Sequence, residues 1–216
     1  MCVPNYFVWT RHGTEAGQPV DDIFRRKESE RGVNGGLFFW GVGNAVGPSI
    51  LELLRKVDCP EVLFSPIRSA PRRQDVTPES VVEWTAALGL DGEPYQLPSM
   101  SMITSRFHVD RPRHYALVCY SDSPLGLSLG STDSERVVPG ELRNILTRRS
   151  LGASQVTAVV ERWPGISGGA EYPVTLRAKL VPPYYIQLTV PKRITTGDGF
   201  DWAGRVAEVW SDRCGG

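Results

Sequence analysis

Apolar and polar positions alternate most regularly between residues 174 and 190. Val174, Leu176, Ala178 and Leu180 interleave with Thr175, Arg177 and Lys179, and Tyr184, Ile186, Leu188 and Val190 interleave with Tyr185, Gln187 and Thr189. A period of two sends successive side chains to opposite faces of an extended chain, so the pattern predicts two half-buried strands. Short apolar runs at Tyr6–Thr10, Leu37–Trp40, Glu61–Phe64, His114–Tyr120 and Gln155–Val160 predict further strands, more completely buried.

Helical spacing is sparser. Ile50, Leu53, Leu54 and Val57 recur at three and four residues behind Pro48 and Ser49, which suits a helix start because proline lacks a donor that the first turn leaves unpaired. Thr77-Pro78-Glu79 carries a cap hydroxyl, a first-turn proline and an acid, and predicts a helix whose buried face is Val81, Trp84, Thr85 and Leu88. Pro139–Arg149, with Leu142, Ile145 and Leu146 inward, predicts another. Asp201 reads as the cap of a last helix bearing Trp202, Val206, Val209 and Trp210. Residues 11–35 are polar and glycine-bearing, and read as an excursion with a short helix near Asp21–Glu30 or as a mobile loop over a site. Strands and helices follow one another irregularly. This predicts a single α+β domain over 1–216, with a curved, mostly antiparallel sheet or partial β-barrel and flanking helices.

Composition narrows the function classes. Lys plus Arg and Asp plus Glu are 24 each, so the formal charge is zero, which argues against a protein that coats nucleic acid or anionic membrane non-specifically. Lys27, Lys56, Lys179 and Lys192 are the only lysines, so the basic charge is mostly guanidinium; GC-rich codon usage and recognition of planar anions both produce that bias. No stretch reads as a signal peptide or a membrane span, and Cys2, Cys59, Cys119 and Cys214 are scattered, which fits reduced thiols of a cytoplasmic protein better than disulfides or a metal site. No cofactor fingerprint is present.

Several segments carry chemistry. Gly41, Gly43 and Gly47 around Asn44 join a strand to a helix, and would either let the backbone approach a ligand or pack the helix tightly on the sheet. Neither dinucleotide nor P-loop spacing is present. Ser65, Arg68, Ser69 and Arg72 combine hydroxyls and guanidinium forks suited to phosphate, or to an ordinary solvated turn. Trp9 and Trp40 sit at strand ends where an indole face could stack on a planar ligand, although strand aromatics more often fill a core. His12 and Cys2 are the candidates for small-molecule chemistry, Cys2 because a Met-Cys start yields an N-terminal thiol with its own amine as base if the methionine is removed.

Tyr6-Phe7-Val8-Trp9-Thr10, the segment Leu142-Arg143-Asn144-Ile145, and the run from Ser150 through Gln155 to Trp163 resemble the first strand, a late helix, and the strand with its Trp-ending turn of the EVE branch of the PUA-like superfamily, related to ASCH and YTH domains. The resemblance implies a small barrel that recognises nucleic acid, often a modified base in an aromatic-lined pocket, and it carries Trp9, Ser154 and Gln155 over as pocket positions. The leading expectation is thus a nucleotide- or modified-base-binding module with an aromatic and arginine pocket. The alternatives are a small-molecule enzyme or accessory protein of bacterial secondary metabolism, and a surface interaction protein.

Overall fold

A computed structural model describes residues 3–12, 20–67, 80–84, 86–98, 100, 102–103, 114–125, 135–152, 155–163, 169–188 and 191–195. Along the chain these form β1 (Tyr6–His12), α1 (Val20–Val33), β2 (Leu37–Val42), a 3₁₀ turn at Asn44–Val46 running into α2 (Gly47–Leu54), β3 (Glu61–Pro66), β4 (Ser80–Trp84), β5 (Ala87–Leu88), β6 (Pro94–Tyr95), β7 (Met102–Ile103) and β8 (His114–Tyr120). They continue with β9 (Arg136–Val137), a 3₁₀ turn at Pro139–Glu141, β10 (Leu142–Asn144), β11 (Thr157–Arg162), β12 (Tyr172–Pro173), β13 (Leu176–Leu188) and β14 (Pro191–Thr195). Among the described residues no helix is long and apolar enough to cross a membrane.

The fold is α+β, built on one large mixed sheet. Strands run in the order β10-β11-β1-β3-β13; β13 also pairs with β8, which carries β2, and its far end pairs with β5 and then β6. β1 and β3 lie parallel, Trp9 beside Leu63 and His12 beside Pro66, and the other described pairings are antiparallel. The described sheet does not close into a barrel.

Alternation assigns the core. From β1 and β3, Val8, Val62 and Phe64 point to one face, where Ile50 and Leu53 of α2 cover them; Phe7, Trp9 and Leu63 point to the other, against Leu142, Ala158 and Val160. Ile50 and Leu53 are fully buried, each worth roughly 1.5–3 kcal/mol of apolar transfer. The helix α1 is mostly charged, yet Arg26, Lys27 and Glu30 are buried beneath it. Glu30 accepts the Lys27 ammonium at 2.7 Å through Oε2 and the Phe39 backbone N–H at 2.8 Å through Oε1. Phe39 lies on β2, an edge strand, so a helix carboxylate pairs a backbone donor that the edge would otherwise leave open. Burial and the neighbouring Arg26 charge lower the Lys27 pKa, against the opposing pull of Glu30.

Three expectations need correction. Residues 80–84 and 87–88 are strands, not one helix: the β-branched pair Val81-Val82 lies along β14 and β7, and pairing outweighs the cap signal. Pro139–Arg149 is a 3₁₀ turn, a strand and a reversal. Leu142 and Ile145 enter opposite core clusters, which one helical stripe could not serve, and Asn144 Oδ1 accepts the Leu146 and Thr147 N–H groups at 3.0 Å, a local turn that competes with a helix. The two strands expected at 174–190 are one, bent by a bulge between Leu180 and Tyr185, with Tyr184 at φ 67. The helix expected after Asp201 lies outside the described residues.

Candidate functional site

The carboxyl ends of the parallel pair β1 and β3 bring together four expected site residues from distant parts of the chain, Trp9, His12, Ser65 and Gln155, with Arg11 between them. Trp9, Arg11 and His12 come from β1, Ser65 from β3, and Gln155 from the approach to β11, where Arg11 donates to its backbone carbonyl and the Arg11 N–H bonds the Val156 carbonyl at 2.8 Å. Alternation splits them between two faces.

Trp9 faces the enclosed side. Its indole N–H donates to Ser65 Oγ at 3.0 Å, Tyr172 meets the ring edge-on at 5.5 Å between centroids, and the residue is 2 % exposed. The polar handle and the ring face are both engaged, so Trp9 and Ser65 serve packing and offer no stacking surface. The expected pairing of Trp9 with Trp40 in one pocket is absent, because the two indoles belong to clusters on opposite faces.

His12 and Trp40 share the other face. Phe24 of α1 sits edge-on to His12 at 4.9 Å, Phe64 edge-on to Trp40 at 4.9 Å, and Phe24 and Trp40 are 6.3 Å apart, closing a chain of four rings. His12 Nε2 lies 2.7 Å from Thr175 Oγ1, and the Thr175 hydroxyl donates to the Phe64 carbonyl at 3.2 Å. A hydroxyl has one proton to give, so Nε2 carries the hydrogen and donates to Thr175. Nδ1 then holds the free lone pair. It is buried and has no hydrogen-bond partner among the described residues. Burial pushes the His12 pKa down to about 4, so the ring is neutral near pH 7. His12 is buried, whereas Thr175 beside it and Trp40 on the far side of Phe24 are partly open. Among the described residues its ring meets Thr175 and Phe24, neither of them the carboxylate or thiol that nucleophilic or acid–base chemistry would want next to an imidazole.

No protein-family model, no curated protein and no solved structure matches this chain. Function is therefore read from the residues themselves.

The glycine loop has a packing role at one position. A Cβ on Gly47 would come within 3.0 Å of the Tyr185 ring, and the Tyr185 hydroxyl donates to the Gly43 carbonyl at 3.3 Å, so the loop and the start of α2 are held against β13. Tyr185 in turn stacks on Tyr115, 5.4 Å away and 15° from parallel. Gly41, Gly43 and Asn44 are exposed, and nothing near Gly43 demands a glycine. Arg68, Ser69, Arg72, Ser154 and Cys2 lie outside the described residues. Thr175, which sets the His12 tautomer, and Phe24 went unnoticed in the sequence because each is 12 or more positions from its partner and matches no motif.

Proposed function

We propose that this chain is a binding module for a nucleotide or a modified base within nucleic acid, received on the sheet face that His12 and Trp40 share. The observation that carries the reading is the His12 Nδ1 lone pair, buried and without a partner among the described residues, with Phe24 between it and the partly open Trp40 indole. A buried acceptor without a donor is unfavourable by roughly 1–3 kcal/mol, which a ligand N–H would recover. Nucleobases supply such donors from ring imino and exocyclic amino groups, on a planar body suited to an aromatic wall. A neutral His12 suits an uncharged base edge, and the zero net charge of the chain means that affinity would come from a local fit with modest salt dependence.

The test is a titration with AMP, GMP, CMP and UMP, and with oligonucleotides carrying modified and unmodified bases, read through the ring ¹⁵N resonances of His12. A binding partner should move the Nδ1 signal more than Nε2. His12→Phe keeps a ring of similar size, removes the acceptor and should lower affinity about tenfold or more. Unchanged affinity in that variant, or no response to any of these probes, would end the reading.

A further inference from the structure

The far end of β1 carries a different surface. The Arg162 N–H bonds the Asn5 carbonyl at 2.7 Å, and the Trp163 N–H bonds the Glu141 carbonyl at 2.7 Å, so β11 extends past its last strand residue and fixes the Trp163 backbone. On the neighbouring edge strand Arg143 stands opposite Glu161. Trp163 is two positions further along the same face, the diagonal neighbour that a long side chain can reach. The Arg143 guanidinium lies 3.8 Å from the Trp163 ring centroid, and Trp163 remains 41 % exposed. A large aromatic side chain is thus held by its backbone and by an arginine on one face while two fifths of the residue stays accessible to solvent.

The charge around it is positive. Arg143, Arg148, Arg149 and Arg162 gather at this edge against Glu141 and Glu161; Arg148 pairs with Glu161, and Arg162 with Glu141 at 3.5 Å. Arg149 is exposed and has no carboxylate partner among the described residues. A locally basic edge with an open indole, on a chain of zero net charge, matches a ligand that offers both phosphates and a free aromatic face.

We infer that this edge binds an unpaired stretch of nucleic acid, one base stacking on Trp163 and its phosphates meeting Arg143 and Arg149. Base-paired nucleic acid is the poorer fit, because its bases are already stacked on one another and present only edges. An acidic peptide would satisfy the arginines and leave the indole face unused. The inference rests on the nucleic-acid reading above, but it uses other residues: His12 closes β1 and Trp163 adjoins its beginning, roughly 20 Å away along the extended strand.

The experiment is fluorescence anisotropy of the full chain with a labelled 12-nucleotide single strand, as RNA and as DNA, with each strand annealed to its complement, and with a labelled poly-glutamate peptide. The single strand should bind tighter than the duplex, Trp163→Ala should weaken it about tenfold or more, and Trp163→Phe should restore most of the loss. Arg149→Ala should lower the salt slope by about 0.7. Melting curves of each variant establish that the fold persists. Equal affinity for duplex, a preference for the peptide, no binding of any oligonucleotide, or a Trp163→Ala affinity within twofold of the parent each overturn the inference. AMP, GMP, CMP and UMP titrations of the same Trp163→Ala protein, read at His12, report on the base site separately, so either proposal can fail alone.

Discussion

Glu30 accepts the backbone N–H of Phe39 at 2.8 Å, and that bond ties a helix of mostly charged residues to the edge of the sheet, beside the packing of Phe24. The second oxygen of the same carboxylate holds the buried Lys27 ammonium. Removing the charge from Glu30 would take away the carboxylate that faces that ammonium in a buried site. Glu30→Gln, which keeps an oxygen for Phe39, is expected to destabilise the fold by roughly 3–5 kcal/mol in urea unfolding. The double variant Glu30→Gln with Lys27→Met, which removes both charges, should recover a large part of the loss. A double variant no more stable than the single one would show that the ion pair is not the source of the penalty.

His12 makes stability depend on pH in a defined direction. Its pKa is lowered from 6.5 to about 4 in the fold, so the unfolded chain binds the proton more readily. Above pH 6.5 the ring is neutral in both states and exacts no penalty. As pH falls from 6.5 towards 4 the folded state loses stability progressively, and below the folded value the loss levels off at about 3 kcal/mol. His12→Phe should flatten this segment of the stability–pH curve. Parallel curves for parent and variant across this window would contradict the assignment.

Trp9→Phe separates packing from recognition. The variant removes the indole N–H and leaves buried Ser65 Oγ without its donor, at a stability loss of about 1–2 kcal/mol by chemical denaturation. Nucleotide affinity should stay within twofold of the parent. A tenfold loss of affinity in a folded Trp9→Phe protein would return Trp9 to the binding face.

Gly36 sits at φ 105 immediately before β2, and a Cβ there would fall 2.5 Å from the Tyr120 ring. Both the backbone conformation and the space forbid a side chain. Gly36→Ala is expected to be destabilising by roughly 2 kcal/mol or more, read as a lowered melting temperature. Gly43→Ala, at a negative φ with no atom near, should be close to neutral and serves as the control.

Much of the strand framework was legible in residue order. Aromatic and β-branched runs at residues 6–10, 37–40, 61–64 and 114–120 are long enough and apolar enough to be strands whatever their partners, and α2 announces itself through Pro48 and its spaced leucines. The segments at 80–88 and 139–149 failed for the opposite reason. Their local signals favoured a helix, and pairing to distant strands decided the matter. Site geometry was less legible still. Trp9 and Trp40 look alike in the sequence; the register of β1 against β3 sends Trp9 onto Ser65, and that of β2 against β8 sends Trp40 to the cluster on the other face. The Arg143–Trp163 contact depends on the diagonal of an antiparallel pair, which no linear spacing encodes.

The bent strand β13 has a consequence for how the molecule is assembled. Its first half borders β3, its length borders β8, and its end borders β5, while β1 is flanked on one side by β11. Every one of these borders except β1–β3 waits for a segment made late. A ribosome that has released the first half of the chain has therefore released β2 without its partner β8, and β1 and β3 each with one edge still bare. Folding should be slow and all-or-none, completed only as residues 176–188 arrive to join partners already synthesised, and the nascent protein should lean on chaperones until then.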